Sequence, residues 1–143
     1  MDEVRVTRSF ELEAPMEEVW RALTDPAMMG DWLESVVELD VCPGGVGVFV
    51  EADGAVRLAC VEEVDPARRL ALRWWPEDGS GPESRVELEI EPTSVGTRVV
   101  VTETVVAGPS ASVRASVATA EGRWSVRLLL LGCCVVRSTV SCR

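Results

Sequence analysis

The first regular pattern along the chain is an alternation. From Val4 to Glu13, the residues Val4, Val6, Arg8, Phe10 and Leu12 share one face, with Arg5, Thr7, Ser9, Glu11 and Glu13 opposite. That is the period of a half-buried strand. Ala14-Pro15 ends it. Pro15 suits the first position of a helix, and Glu17-Glu18 suit the positive end of its dipole. A helix is therefore predicted to about Thr24, with Met16, Val19, Trp20 and Leu23 on its apolar side. Asp25-Pro26 repeats the signal, an N-cap followed by Pro at N1, and starts a second short helix from Ala27 to about Leu33.

Six further strands follow, separated by turn chemistry. Val36–Val41 ends at Pro43-Gly44-Gly45, and Val46–Ala52 and Ala55–Val64 flank Asp53-Gly54, a two-residue hairpin signal. Asp65-Pro66-Ala67-Arg68 turns into Arg69–Trp75, where Leu70, Leu72 and Trp74 alternate inward and Trp75 is left near the surface. After the Pro76–Pro82 loop come Ser84–Glu91, with Val86, Leu88 and Ile90 on one face, and then Thr97–Val106.

Past Gly108-Pro109-Ser110 the period changes. Val113, Val117, Ala120, Trp124, Leu128, Leu131 and Val135 recur at steps of three and four, a helical stripe of about six turns. Gly122 marks a plausible kink. Beyond Trp124, Val126, Leu129, Leu130, Cys133 and Cys134 make the helix apolar nearly all round, so it is expected to be enclosed. Residues 138–143 read as a frayed tail. With no repeat and no long linker, residues 1–143 are expected to form a single domain.

Composition narrows the chemistry. The longest nearly apolar run, Val126 to Val136, is too short for the roughly 20 residues of a membrane span. The N-terminus lacks a signal-peptide pattern, so a cytoplasmic location is expected. A net charge of −10 argues against nucleic acid and against acidic membrane surfaces. The chain contains no His, Lys, Tyr, Asn or Gln, and all fourteen cations are Arg. Schiff-base lysines, imidazole bases and His metal sites are thereby excluded. Such a bias suits a high-GC bacterial genome. Five cysteines without paired spacing argue against a disulfide framework. The vicinal Cys133-Cys134 pair reads as small fillers on a buried helix, so neither metal nor cofactor is expected.

The order strand, two short helices, six strands, helix resembles the helix-grip fold of the START-like (SRPBCC) superfamily. The segment from Phe10 to Pro26 followed by Trp32 is similar to bacterial members of the family named for the activator of heat-shock protein 90 ATPase. The matching motifs are Ala14-Pro15, Val19-Trp20, Leu23-Thr24-Asp25-Pro26 and Trp32. Pro43-Gly44-Gly45, Glu63-Val64-Asp65-Pro66 with Arg69-Leu70 and Trp74, Gly96-Thr97-Arg98, and Trp124 to Leu128 add to them. The tail from Cys133 departs from the charged ending expected of the family. The resemblance implies an α+β fold, a curved antiparallel sheet of about seven strands around a long C-terminal helix. It implies little about chaperone stimulation, because the motifs match turns, caps and core aromatics.

In that fold, sheet and long helix enclose a pocket. The apolar parities then put Phe49, Leu58, Trp74, Leu88 and Val101 on its wall, with Trp32 and Trp124 from the helices, as candidate ligand-binding residues. Arg8 and Glu103 are charges on apolar parities. Because the resemblance makes the first and last strands neighbours, the two are expected to pair and to orient a ligand's polar end, or to form a structural ion pair. The leading reading is a non-enzymatic binding domain for a small hydrophobic or amphipathic ligand. An aromatase/cyclase-like enzyme resting on Arg8 and Glu103 is a second reading. A protein-interaction or co-chaperone module, in a monomer or homodimer, is a third.

Overall fold

The computed structural model describes residues 4–105, 124–133 and 135. Strand β1 (Val4–Leu12) leads into helices α1 (Met16–Thr24) and α2 (Pro26–Leu33). Six strands follow: β2 (Ser35–Leu39), β3 (Val46–Glu51), β4 (Val56–Asp65), β5 (Arg69–Pro76), β6 (Ser84–Pro92) and β7 (Thr97–Val105). Residues 124–133 form α3. All seven strands make one antiparallel sheet in the order β1-β7-β6-β5-β4-β3-β2. The expected α+β helix-grip architecture is therefore present, and no strand boundary departs from the sequence reading by more than two residues. The helical stripe before Trp124, the Gly122 kink, Cys134 and the 138–143 tail lie outside the described residues.

The turns show why the chain folds this way. Asp25 caps α2 by accepting the Ala27 N–H at 2.9 Å, with Pro26 in the first turn. Pro15 departs from the expected first helical position. It is the N-cap of α1 in extended conformation, and its carbonyl accepts from Glu18 and Val19. The Asp53-Gly54 hairpin is longer than two residues. Glu51 accepts from Gly54 and donates to Ala55, Gly54 sits at φ 89°, and Asp53 accepts the Ala55 N–H. A type I turn closed by a left-handed glycine satisfies the chain ends with Asp53 at negative φ, which a primed two-residue turn does not allow.

One face of the sheet is apolar. Val86, Leu88 and Ile90 of β6, Val99 and Val101 of β7, and Leu70, Leu72 and Trp74 of β5 are all buried. Helix α1 packs on β6 and on α2, and α2 packs on β2. Helix α3 buries Trp124, Leu128, Leu131 and the nearby Val135. At Gly132 a Cβ would lie 3.3 Å from both Phe10 and Leu12, which shows how closely the helix approaches β1. Its enclosure is only one-sided: Val126 is 49% and Leu129 58% exposed, and Cys133 is also exposed. A single sheet covers one helix face, so the expectation of a helix buried all round, with cysteines as buried fillers, is corrected for these residues.

The other face of β4–β6 carries ion pairs. Arg69 reaches Glu63 and Glu87 at 2.9 Å, Arg73 reaches Glu62 at 3.2 Å, and Arg85 reaches Glu62 at 2.7 Å. Exposed pairs of this kind contribute little stability each, but they mark the face turned to water. Among the described residues, no helix is long and apolar enough to cross a membrane.

Candidate functional site

Strands β5, β6 and β7 bring Trp74, Ser84 and Glu103 to one place beneath α3. Glu103 is 5% exposed. Its Oε1 accepts the Trp124 indole N–H at 2.8 Å. Its Oε2 accepts the Trp74 indole N–H at 2.9 Å and the Ser84 hydroxyl. Trp74 Nε1 also lies 2.9 Å from Ser84 Oγ. A carboxylate in an apolar core is costly unless such donors converge on it. Here they do, and the carboxylate ties three strands to the helix.

Around this carboxylate the aromatic rings form a cluster. The rings of Trp74 and Trp124 stack at 6.1 Å with an interplanar angle of 19°. Phe49 meets Trp74 edge-on at 5.4 Å, and Trp32 lies 6.4 Å from Trp124. Trp32 is itself fixed by donating to the Ala22 carbonyl at 2.8 Å. Two guanidinium groups cover the outer side: Arg57 sits 4.5 Å from the Trp74 ring centre, and Arg127 sits 5.0 Å from that of Trp124. Glu51 Oε1 lies 3.5 Å from each of these arginines. Cation–ring contacts of this kind contribute about 1–2 kcal/mol where water is excluded, and Arg127 is only 6% exposed.

Beside the capped rings, a groove of about 440 Å³ runs between the end of α2, the β3–β4 hairpin and α3. Leu33, Glu51, Val126 and Arg127 line it, with Glu34 and Asp53 at its rim. Its lining thus includes Arg127, which caps Trp124, and Glu51, which lies against both capping arginines. Among the described residues, no buried side-chain polar atom lacks a hydrogen-bond partner, and no group of three metal-ligating side chains occurs.

Of the predicted wall, Trp32, Phe49, Trp74, Leu88, Val101, Glu103 and Trp124 are buried in the core between sheet and helices. Two positions need correction. Arg8 is half-exposed and donates to the Thr7 carbonyl at 2.9 Å, and no ion pair joins it to Glu103. The strands are neighbours as expected, but the register sets Val6 opposite Glu103 and Arg8 opposite Val101. The indoles and Ser84 reach the carboxylate instead. Leu58 lies on the outer face beside Val48 and Trp75. The inward parity of β4 is that of Arg57, Ala59 and Val61, because Arg57 finds a place over Trp74. A bulge between Val61 and Glu63 then switches the parity, so that Val64 comes opposite Leu70.

No periodicity or motif along the chain marks Ser84, Glu51 or Arg57 as part of the site. Only Arg127 left a trace, as a charge interrupting the longest apolar run. Away from the site, the Asp40 side chain holds the exposed Cys42 thiol above its ordinary pKa by hydrogen bonding, aided by desolvation and by its charge.

No curated protein matches the chain. Among solved structures it is similar to MLL2253 from Mesorhizobium loti, with a TM-score of 0.84 and 23% identity over 94% of this chain and 98% of that one. It is similar also to DynU16, a protein of the dynemicin biosynthetic locus, with a TM-score of 0.75 and 28% identity over 92% of this chain and 46% of that one. CalU16 from Micromonospora echinospora gives 0.67 and 24% over 96% and 78%. The sequence model of one family spans residues 13–126. The chain belongs to the family of Activator of Hsp90 ATPase homolog 1-like proteins.

Proposed function

We propose that this protein is a non-enzymatic binding domain for a small hydrophobic or amphipathic molecule, held where the tryptophan cluster meets the groove at α3. The observation that carries the reading is the capped cluster itself. Two stacked indoles, with a third beside them, lie under two guanidinium groups, of which Arg127 also lines a groove of about 440 Å³. Ligand sites combine apolar and aromatic walls with a few placed polar groups. An aromatic or alkyl body that displaces the arginine heads meets indole faces, and Arg127 and Glu51 then hold its polar end. The likeness to DynU16, from a biosynthetic locus, agrees with a small-molecule role.

Burying on the order of 300 Å² of apolar ligand surface is worth about 7 kcal/mol before association costs, which sets micromolar binding as the expected range. Glu103 has both oxygens committed to three donors. That favours an anchoring role over an acid–base one and supports the binding reading over the enzymatic one.

The test is a titration of intrinsic tryptophan fluorescence with 1-anilinonaphthalene-8-sulfonate and a panel of planar aromatic and alkyl amphiphiles, paired with native mass spectrometry. Saturable micromolar changes with a one-to-one adduct support the reading. Arg127→Met should alter the affinity about tenfold while leaving the far-ultraviolet circular dichroism unchanged. Linear, unsaturable responses and a bare protein mass across the panel would overturn it.

A further inference from the structure

The groove beside the tryptophan cluster has a charge as well as a shape, and the charge is negative. Three of its lining residues are acids, Glu34, Glu51 and Asp53, against one base, Arg127. Arg57 is outside the lining but also lies 3.5 Å from Glu51. Even with Arg57 counted, three carboxylates face two guanidinium groups. Glu51 has both arginines for partners. Glu34 and Asp53 are exposed at the rim, and among the described residues neither is paired with an arginine.

Glu34 stands there against local preference. It closes α2 in the left-handed region, at φ 54° and ψ 46°, where glycine or asparagine is the usual residue. A carboxylate at that end also faces the negative pole of the helix, where a cation is favoured. Local rules broken without a structural gain are the mark of a functional position. The α2 carbonyl pole and the carboxylate it carries act in one direction, toward a positive group.

The structure already holds a group of the kind this charge attracts. Arg127 lays a planar cation 5.0 Å from the Trp124 ring centre, with Nη2 3.5 Å from Glu51 Oε1. A guanidinium on an indole face with a carboxylate beside it is itself a cation site, and a ligand can take the same place. We propose that the molecule held at this groove is an organic cation, an amine or guanidine carried on an aromatic or alkyl body. The inference rests on the binding function proposed above and gives the ligand's polar end its sign. Glu51 takes the ligand's charge, and Arg127, turned off the ring, takes the rim carboxylates of the same groove. Three carboxylates then balance three cations, whereas an anion in that place adds to an acidic excess. The net charge of −10 on the whole chain favours the approach of a cation in the same sense.

Isothermal titration calorimetry of the full chain with naphthylethylammonium, naphthylethanol and naphthylacetate compares one aromatic body carrying positive, neutral and negative ends. At low salt the cation is expected to bind about tenfold or more tightly than the neutral probe, and the anion more weakly still. Raising ionic strength from about 0.02 to about 0.3 M should cut the cation's advantage severalfold. Glu34→Gln combined with Asp53→Asn should reduce that advantage to about threefold or less. Glu11→Gln combined with Glu13→Gln removes the same charge from exposed positions outside the groove and should leave the advantage in place. Equal affinities for the three probes overturn the assignment of a cation while leaving the binding function standing. An advantage that both double substitutions reduce alike does the same, since net charge would then explain it. If none of the three probes binds, this inference falls, and the amphiphile panel decides the binding function separately.

Discussion

Glu103 is the residue on which the core depends most. Glu103→Leu leaves the Trp124 indole N–H and the Ser84 hydroxyl without their acceptor and the Trp74 N–H with Ser84 Oγ alone, and each orphaned buried donor costs about 1–3 kcal/mol. A loss of about 3 kcal/mol or more is expected, read from the urea midpoint. Arg8→Leu should cost about 1 kcal/mol or less, because the residue is half-exposed. In the double-mutant cycle, the coupling between the two positions should be under about 0.5 kcal/mol; a large coupling would reinstate the ion pair between them. The pair was a reasonable reading of two charges on apolar parities of neighbouring strands. What decided against it is that indole N–H donors, whose position along the chain says nothing of their reach, come closer to the carboxylate. A second residue-scale consequence concerns Cys42. Thiolates, not thiols, react, and Asp40 keeps this thiol protonated. Asp40→Asn should therefore speed the alkylation of Cys42 near pH 8; equal rates before and after substitution would refute the cause.

At the scale of elements, local signals were reliable where the chemistry is local. The Asp25 cap on α2 was legible because cap and recipient are two residues apart. Asp25→Ala is expected to cost about 1 kcal/mol, measurable in thermal unfolding. Gly96 shows a constraint of another kind. A Cβ there would lie 2.1 Å from the Leu12 carbonyl oxygen, where the turn before β7 passes under the end of β1 and Thr97 donates to Ala14. Gly96→Ala must move backbone and should cost at least about 2 kcal/mol; a neutral result would mean that the turn yields freely. Strand β4 marks where periodicity stopped being sufficient. Its two parities read Val-Leu-Cys and Arg-Ala-Val, and the first is the more apolar. The buried one is the second, because Arg57 covers Trp74 and a bulge later resets the alternation.

For the whole molecule, the acidic excess of 24 Asp and Glu over 14 Arg outweighs the surface ion pairs. Raising ionic strength from about 0.01 to about 0.1 M shortens the screening length from about 30 to about 10 Å. The thermal midpoint is expected to rise by a few degrees. A fall would show that the Arg–Glu ladder on β4–β6 contributes more than the repulsion costs.

The architecture was legible because it is written in short-range terms. Alternation of period two, helical stripes, an Asp-Pro cap and glycine or proline turns each act over a few residues, and their order along the chain suffices to name a sheet that grips a helix. Of the nine candidate site residues, seven are buried in the core. Tertiary structure alone decided which partner each buried polar group takes. Glu103 meets Trp74 across 29 positions and Trp124 across 21. The register of three strands and the seating of α3 determine those meetings, and neither is a property of any local segment. The same holds for the face that Leu58 shows and for the open side of α3: burial depends on which element lies opposite, and a pattern along one element carries no record of that.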